Sequence, residues 1–370
     1  MVQRAEVRLE DLLRLHLAAG LSGSQFSSLM LHFASVEDLL HAGMKELADA
    51  GVPSKAGARR IASAHRVEVE PELEKVEAAG AQLIPWGSPQ YPKNLQFIFD
   101  PPLILYVKGS LREQDLLSIA IVGSRQCTAY GRGVSERLAG DLVVRGFTVV
   151  SGLAQGIDTG AHRGALRTGG RTIAVLGSGL SRLYPPENRE LATQIAASGA
   201  LVSELAMEAE PDRWNFPGRN RLISGLSLGV VIVEAARQSG ALITARWAAE
   251  QGREVFAVPG SVGSPVAQGA HALIRDGAHL VESADDVIDG LGPLPEALQT
   301  VHGDQINNLR QLPLSTSEQA VIKTLGPEPK HIDQIIEETE LEACTVASTL
   351  LMLEVKRAAL QHPGKRFTRL

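Results

Sequence analysis

Residues 116–152 read LLSIAIVGSRQCTAYGRGVSERLAGDLVVRGFTVVSG. The first eight form a nearly unbroken apolar run that stops at Gly123 and Ser124, the pattern of a short strand buried on both faces. Residues 133–146 follow with helical apolar spacing, and 147–152 give a second apolar run that stops at Ser151 and Gly152. Strand, helix and strand in that order predict a parallel βαβ unit.

The alternation continues outward. Strand-like RTIAVLG, ALVSE, LGVVIVEA, REVFAVPG and AHLVES are separated by helix-like DTGAHRGALRTG, NRELATQIAASG, RNRLISGLS, ITARWAAEQG and AQGAHALIRDG. The expected fold class is α/β: an extended Rossmann-like, doubly wound parallel sheet over residues 66–290. Within it, the proline-punctuated stretch 66–110 is expected to contribute strands and a lid. Residues 1–65 carry apolar positions at i, i+3, i+4 with glycines at the joins, predicting a small helical module. Its AGVPSKAGARRIASA segment resembles a helix-hairpin-helix or SAM-like unit. After a linker at 291–314, residues 315–370 read as three helices followed by strand, turn and strand, the winged-helix plan. The third of those helices starts at Glu342 after Glu337, Glu338 and Glu340 and has no cation before Lys356. Insertion into a duplex groove would meet repulsion, so a docking or assembly role is at least as well supported.

Bulk properties bound the function. A chain of 370 residues with 44% hydrophobic content is ordinary globular stock, and a formal net charge of −6 supplies no global pull toward polyanions. Any nucleic-acid site must therefore be a local patch. Cys127 and Cys344 are the only cysteines and are far apart, which suits a reducing, cytoplasmic setting and no zinc cluster. Neither a secretion signal nor a membrane span is expected. Between residues 111 and 290 there are arginines but no lysine. Arginine suits bidentate phosphate recognition, and arginine-favouring codon usage is the blander reading of the same bias, so each arginine must be argued by position.

Ligands of such sheets bind outside the carboxyl ends of the strands. Five loops lie there: GSRQCTAYGRG, SGLAQGIDTGAHRG, GSGLSRLYPPEN, NFPGRNR and RQSGALITA. Each carries Gly or Ser, so backbone amides can approach an anion. Neither GRG nor GSG completes GxGxxG, no carboxylate ends the second strand, and no lysine completes a Walker A loop, which disfavours NAD and excludes P-loop hydrolysis. No cofactor is implied. Arg125 is expected to clamp a phosphate, with Gly123, Ser124, Ser151 and Gly152 as the amide cradle. Arg219 and Arg221 flank Asn220 at an expected helix start, one reaching the ligand and the other pairing with Glu204 or Glu234; Asn220 is equally a helix cap. Phe216 would stack a base, Arg213 would add an outer phosphate contact, and Ser239, Gly240 and Thr244 open a helix whose amides suit another phosphate. Asp158, His162 and Tyr184 are expected to order the loops.

Taken in order, IVGSR, Thr128 with Tyr130-Gly131, SGLAQGID, AVLGSGL with YPPEN, Ser203-Glu204, FPGRNRLISGLS, VVIVEA, SGALITA and GREVFAVPG resemble the DNA-processing protein A (DprA/Smf) family over about residues 80–285. The resemblance implies a cytoplasmic, non-enzymatic protein. It would bind single-stranded DNA through the Rossmann-like domain, dimerise through it, and load the recombinase RecA during natural transformation. The apolar stretch Val255–Leu280 is the candidate dimer surface. Two other readings remain: a nucleoside-monophosphate phosphoribohydrolase of the Lonely Guy type, whose PGGxGTxxE signature is matched here only by SGALITARWAAE with Glu204 or Glu234 as acid or base, and a duplex-DNA regulator acting through the winged helix.

Overall fold

The computed structural model describes residues 7–292 and, beyond them, 316–326, 329–339, 341, 343, 345–346, 349–350, 353, 359–362 and 365–369. It divides into two units, Met1–Leu291 and Gly292–Leu370.

The first unit opens with helices α1 (Leu9–Ala19), α2 (Gly23–Leu29), α3 (Val36–Leu40), α4 (Met44–Asp49) and α5 (Lys55–Ala62). Serines start three of them: Ser22, Ser35 and Ser54 each accept a bond from the amide three residues on, satisfying a donor that the helix cannot. The leucines on their inner faces join one hydrophobic cluster with Leu103, Tyr106, Leu153, Leu180 and Met207. The helical module therefore shares its core with the sheet.

Next come α6 (Glu70–Ala78), β1 (Ala81–Pro85), α7 (Lys93–Gln96) and β2 (Ile104–Gly109). The alternating region then gives β3 (Ser118–Gly123), α8 (Ala129–Val144), β4 (Thr148–Ser151), α9 (Ile157–Arg167), β5 (Thr172–Val175), α10 (Arg189–Ser198) and β6 (Ala200–Ser203). It ends with α11 (Asn215–Gly225), β7 (Gly229–Val233), α12 (Ala241–Glu250), β8 (Glu254–Ala257), α13 (Gln268–Arg275), β9 (His279–Leu280) and α14 (Ala284–Leu291). Every strand and helix expected from the apolar alternation is present. The sheet has nine strands in the order β1-β2-β6-β5-β4-β3-β7-β8-β9. β3 to β9 are parallel to their neighbours, while β1 and β2 run antiparallel on the β6 edge. Strand order reverses between β3 and β7, whose ends pair at Gly123 and Val233. A crevice belongs at that switch point.

One expectation is corrected. α11 begins at Asn215, so the Arg219-Asn220-Arg221 triplet lies past its first turn rather than at its start. Pro217 does not stop the helix because first-turn amides have no intrahelical acceptor to lose.

The second unit contains a helix at Thr316–Thr324, β10 (Lys330–His331), a helix at Ile332–Thr339, β11 (Ala359–His362) and β12 (Arg366–Arg369). The strands form an antiparallel sheet in the order β10-β12-β11. Val321, Ile335, Val346, Leu350 and Phe367 are buried together as its core. Glu342, Lys356 and residues 293–314 of the expected linker lie outside the described residues.

Candidate nucleic-acid interface

β3 delivers the chain to Ser124 and Arg125. The Ser124 amide donates to the Glu234 carbonyl at the end of β7 over 2.8 Å, and its hydroxyl accepts from the Gln126 amide at 3.2 Å, which fixes the turn. Arg125 is exposed, and no carboxylate pairs with it among the described residues. Its guanidinium carbon instead lies 5.1 Å from the centre of the Phe216 ring. That contact positions the cation through the ring quadrupole while leaving its N–H groups for solvent or ligand.

Phe216 is half-buried in the first turn of α11. It sits over Gly177, just beyond β5, where an added Cβ would stand 2.7 Å from the ring. The Tyr184 ring is 6.0 Å away. One turn earlier, the Arg213 guanidinium lies 4.9 Å from the centre of the Trp214 ring, and Trp214 is 73% exposed. The rim thus carries two cation–aromatic pairs. Ser239 and Gly240 lie at the start of α12, with the Ser239 hydroxyl accepting from the Ala241 amide at 3.3 Å.

Beneath this surface is a buried polar layer. Arg219 is 5% exposed; its Nη1 donates to the Gly152 carbonyl at 2.8 Å and to the Val175 carbonyl. It ties the ends of β4 and β5 together under Phe216, whose ring centre is 5.8 Å away. Asp158 accepts from the Gly152 and Ala154 amides at 3.1 and 3.3 Å. Burial pushes the Arg219 pKa down to about 10, against the opposing pull of Asp158, so Arg219 remains a cation at neutral pH. Burial raises the Asp158 carboxyl above its ordinary value despite the nearby Arg219. The His162 hydroxyl partner, Thr172, already donates to the Val149 carbonyl, so the His162 Nδ1–H donates to Thr172 at 2.7 Å and Nε2 faces inward unpaired. Burial accordingly lowers the His162 pKa to about 3. Asp158 thus holds the loop after β4, while His162 bonds strand β5 rather than a loop.

The structure therefore gathers Gly123, Ser124, Arg125 and Phe216 at the β3–β5 end of the rim, with Arg213 exposed one turn away and Ser239 and Gly240 at the β7 end. It turns other expected contacts inward. Ser151 is fully buried and donates to the Ile121 carbonyl at 2.7 Å. Both backbone groups of Gly152 are engaged, the amide by Asp158 and the carbonyl by Arg219. Asn220 is not a cap: it is buried within α11 and donates to the Gly240 carbonyl at 3.3 Å. Thr244 is 1% exposed. Neither arginine of the triplet reaches the rim as one was expected to: Arg219 is pinned by the Gly152 and Val175 carbonyls, and Arg221 bonds the Glu204 carboxylate at 2.6 Å and the Asp100 carbonyl at 3.1 Å. Burial alone would lower its pKa, but the Glu204 bond and the Asp100 charge outweigh it and raise the value. Of the two carboxylates considered for acid–base work, Glu204 is held by Arg221 and Glu234 accepts from the Thr128 amide at 2.8 Å and from the Thr128 hydroxyl. Sequence reasoning missed Trp214, although a tryptophan beside an arginine just before a helix start was the available signal.

Among the described residues, no group of three or more His, Cys, Asp or Glu is placed to hold a metal, and no helix is long and apolar enough to cross a membrane.

The family model for DNA recombination-mediator protein A matches residues 82–292, more than half of the chain. The DprA winged helix domain matches residues 309–365. Protein Smf of Escherichia coli K12 is 39% identical over 312 residues, covering 83% of this chain and 82% of its own. The X-ray structure of DprA from Streptococcus pneumoniae superimposes with a TM-score of 0.66 at 34% identity, covering 76% of this chain and 98% of that one. A second solved structure, concerned with the single-stranded DNA binding mode of DprA from Helicobacter pylori, gives a TM-score of 0.51 at 30% identity and covers 57% of this chain and 95% of that one. A family model spanning the parallel sheet and its rim, together with relatives alike over most of both lengths, identifies the chain as a member of the DNA recombination-mediator protein A (DprA/Smf) family with a winged-helix domain at its C-terminal end.

Proposed function

We propose that this protein binds single-stranded DNA along the carboxyl rim of its parallel sheet, shields it, and passes it to the recombinase RecA in the cytoplasm during natural transformation. The observation that carries the reading is Arg125, a cation exposed, without a carboxylate partner among the described residues and laid against an aromatic ring at the strand-order switch point. A guanidinium held in that way offers bidentate donors to a phosphate, and the half-buried Phe216 offers a π-face to an unpaired base. A duplex hides its base faces, so this pairing favours a single strand. The relative from Helicobacter pylori, studied for its single-stranded DNA binding, supports the same ligand. No turnover is proposed, because Glu204 and Glu234 are both taken up by internal partners.

The protein is proposed to act as a homodimer through the Rossmann-like domain. β9 is a two-residue edge strand with Leu280 49% exposed, and an exposed sheet edge beside an apolar side chain suits a second copy. Binding of labelled oligothymidylate by wild type and by Arg125→Ala at one salt concentration tests the proposal. A loss of at least tenfold is expected, and equal affinity would remove the site.

A further inference from the structure

Beside the Arg125 turn lies a small hollow. It has a volume of about 190 Å³ between the amino-terminal halves of α8 and α9, and Arg132, Arg163, Gln155, Thr159 and Asn188 line it. Arg132 and Arg163 are both exposed, and neither guanidinium has a carboxylate or hydrogen-bond partner among the described residues. Arg145 pairs with Asp285, Arg167 with Glu136, Arg171 with Asp115 and Arg182 with Glu210, while Arg137 and Arg189 are exposed without a carboxylate partner among the described residues; what sets Arg132 and Arg163 apart is that they share one hollow. Glu136 also lines the hollow, but its carboxylate is drawn to Arg167 at 3.6 Å. Two like charges left to share one small concavity raise each other's energy, and an anion between them relieves that cost.

The floor is rigid. The Asn188 amide group donates to the Leu153 carbonyl at 2.8 Å and to the Thr159 hydroxyl at 2.9 Å, and that hydroxyl donates to the Ala154 carbonyl at 2.8 Å. The hollow also adjoins the Arg125 turn. Gly156 forms part of its wall, and the adjoining Ile157 amide donates to the Ser124 carbonyl at 3.2 Å. A Cβ on Gly156 would lie 2.7 Å from the Arg125 carbonyl oxygen, so one backbone layer separates the hollow from the Arg125 turn.

We propose that Arg132 and Arg163 form a second phosphate seat, taking a phosphodiester of the same single strand whose neighbouring nucleotide lies at Arg125 and Phe216. This assignment rests on the function proposed above and extends it: the strand would turn from the sheet rim onto the α8–α9 face.

The test is a salt-resolved titration of the double variant Arg132→Ala/Arg163→Ala, with oligothymidylates of about 4 and about 16 nucleotides, the span of site sizes in single-strand binders. Wild type and Arg125→Ala serve as references, and thermal melting confirms that each is folded. On the long oligomer the double variant should bind several-fold more weakly, and its log–log salt slope should be shallower by about 0.7 for the one phosphate lost. On the short oligomer, which already spans neighbouring nucleotides, it should also bind more weakly. Wild-type affinity and slope on the long oligomer would overturn the second seat, and a loss confined to the long oligomer would overturn its placement beside Arg125. Failure of the parent reading looks different: Arg125→Ala would then bind both oligomers as wild type does.

Discussion

The two arginines of the Arg219-Asn220-Arg221 triplet do different work from Arg125, and the difference follows from what surrounds each guanidinium. Arg221 is held by Glu204 and the Asp100 carbonyl in a largely buried setting. Replacing it by alanine strands the Glu204 carboxylate, a change that costs roughly 3–5 kcal/mol in buried pairs. Because Glu204 keeps some exposure, a loss near the lower end of that range is expected in urea unfolding of Arg221→Ala, partly restored by adding Glu204→Gln. Stability unchanged from wild type would show that the pair is not structural. Phe216 belongs to the opposite case. Phe216→Ala should leave the fold intact and weaken oligothymidylate binding by about 1–3 kcal/mol, the worth of one stacked base. A change in melting with no change in affinity would make it a packing residue only.

At the scale of elements, the alternation of apolar strand and helix was legible because parallel strands covered on both faces need continuous apolar runs, such as Ile119–Val122 and Val230–Val233. The strand-end loops were legible for the same reason, since the fold rule fixes which ends carry ligands. What sequence did not reveal was which side chains turn inward. Arg219 and Arg125 look alike as letters, yet one is pinned by the Gly152 and Val175 carbonyls and the other by a ring face. The start of α11 was also misplaced, because a proline-glycine pair reads as a turn although both residues fit within a first helical turn. The elements meet at close approaches that composition cannot display. Gly156 has φ 82°, a left-handed value that favours glycine, and lies against the Ser124–Arg125 backbone. Gly177→Ala gives a direct test of such a contact: its new methyl meets the Phe216 ring, so binding to oligothymidylate should weaken by several-fold while secondary structure persists. Wild-type affinity would show that the ring has room to move without consequence.

At the scale of the whole molecule, two buried histidines link stability to pH. Burial lowers the His162 pKa to about 3 and the His16 pKa to about 4, from an ordinary value of 6.5. Below about pH 6.5 the unfolded chain takes up protons that the folded one refuses, so the stability present at pH 7 is lost as pH falls toward 4. Each histidine contributes a slope of about 1.4 kcal/mol per pH unit in that window. Urea midpoints between pH 7 and 5 should therefore fall steeply for wild type and less steeply for His162→Gln; parallel lines would indicate that His162 is protonated in the folded state. The net charge of −6 makes the same point about binding: attraction to a polyanion must arise at the rim and cannot come from the molecule as a whole.

The central claim is that the rim around Arg125 and Phe216 grips an unpaired strand, and a salt-resolved titration of the full chain against single-stranded and double-stranded DNA of equal length tests it most directly. The single strand should bind more tightly at every salt concentration, with log affinity falling linearly against log salt. Removal of the Arg125 guanidinium should abolish most of that preference. Duplex binding equal to or tighter than single-strand binding, or a preference that survives Arg125→Ala, would contradict the account.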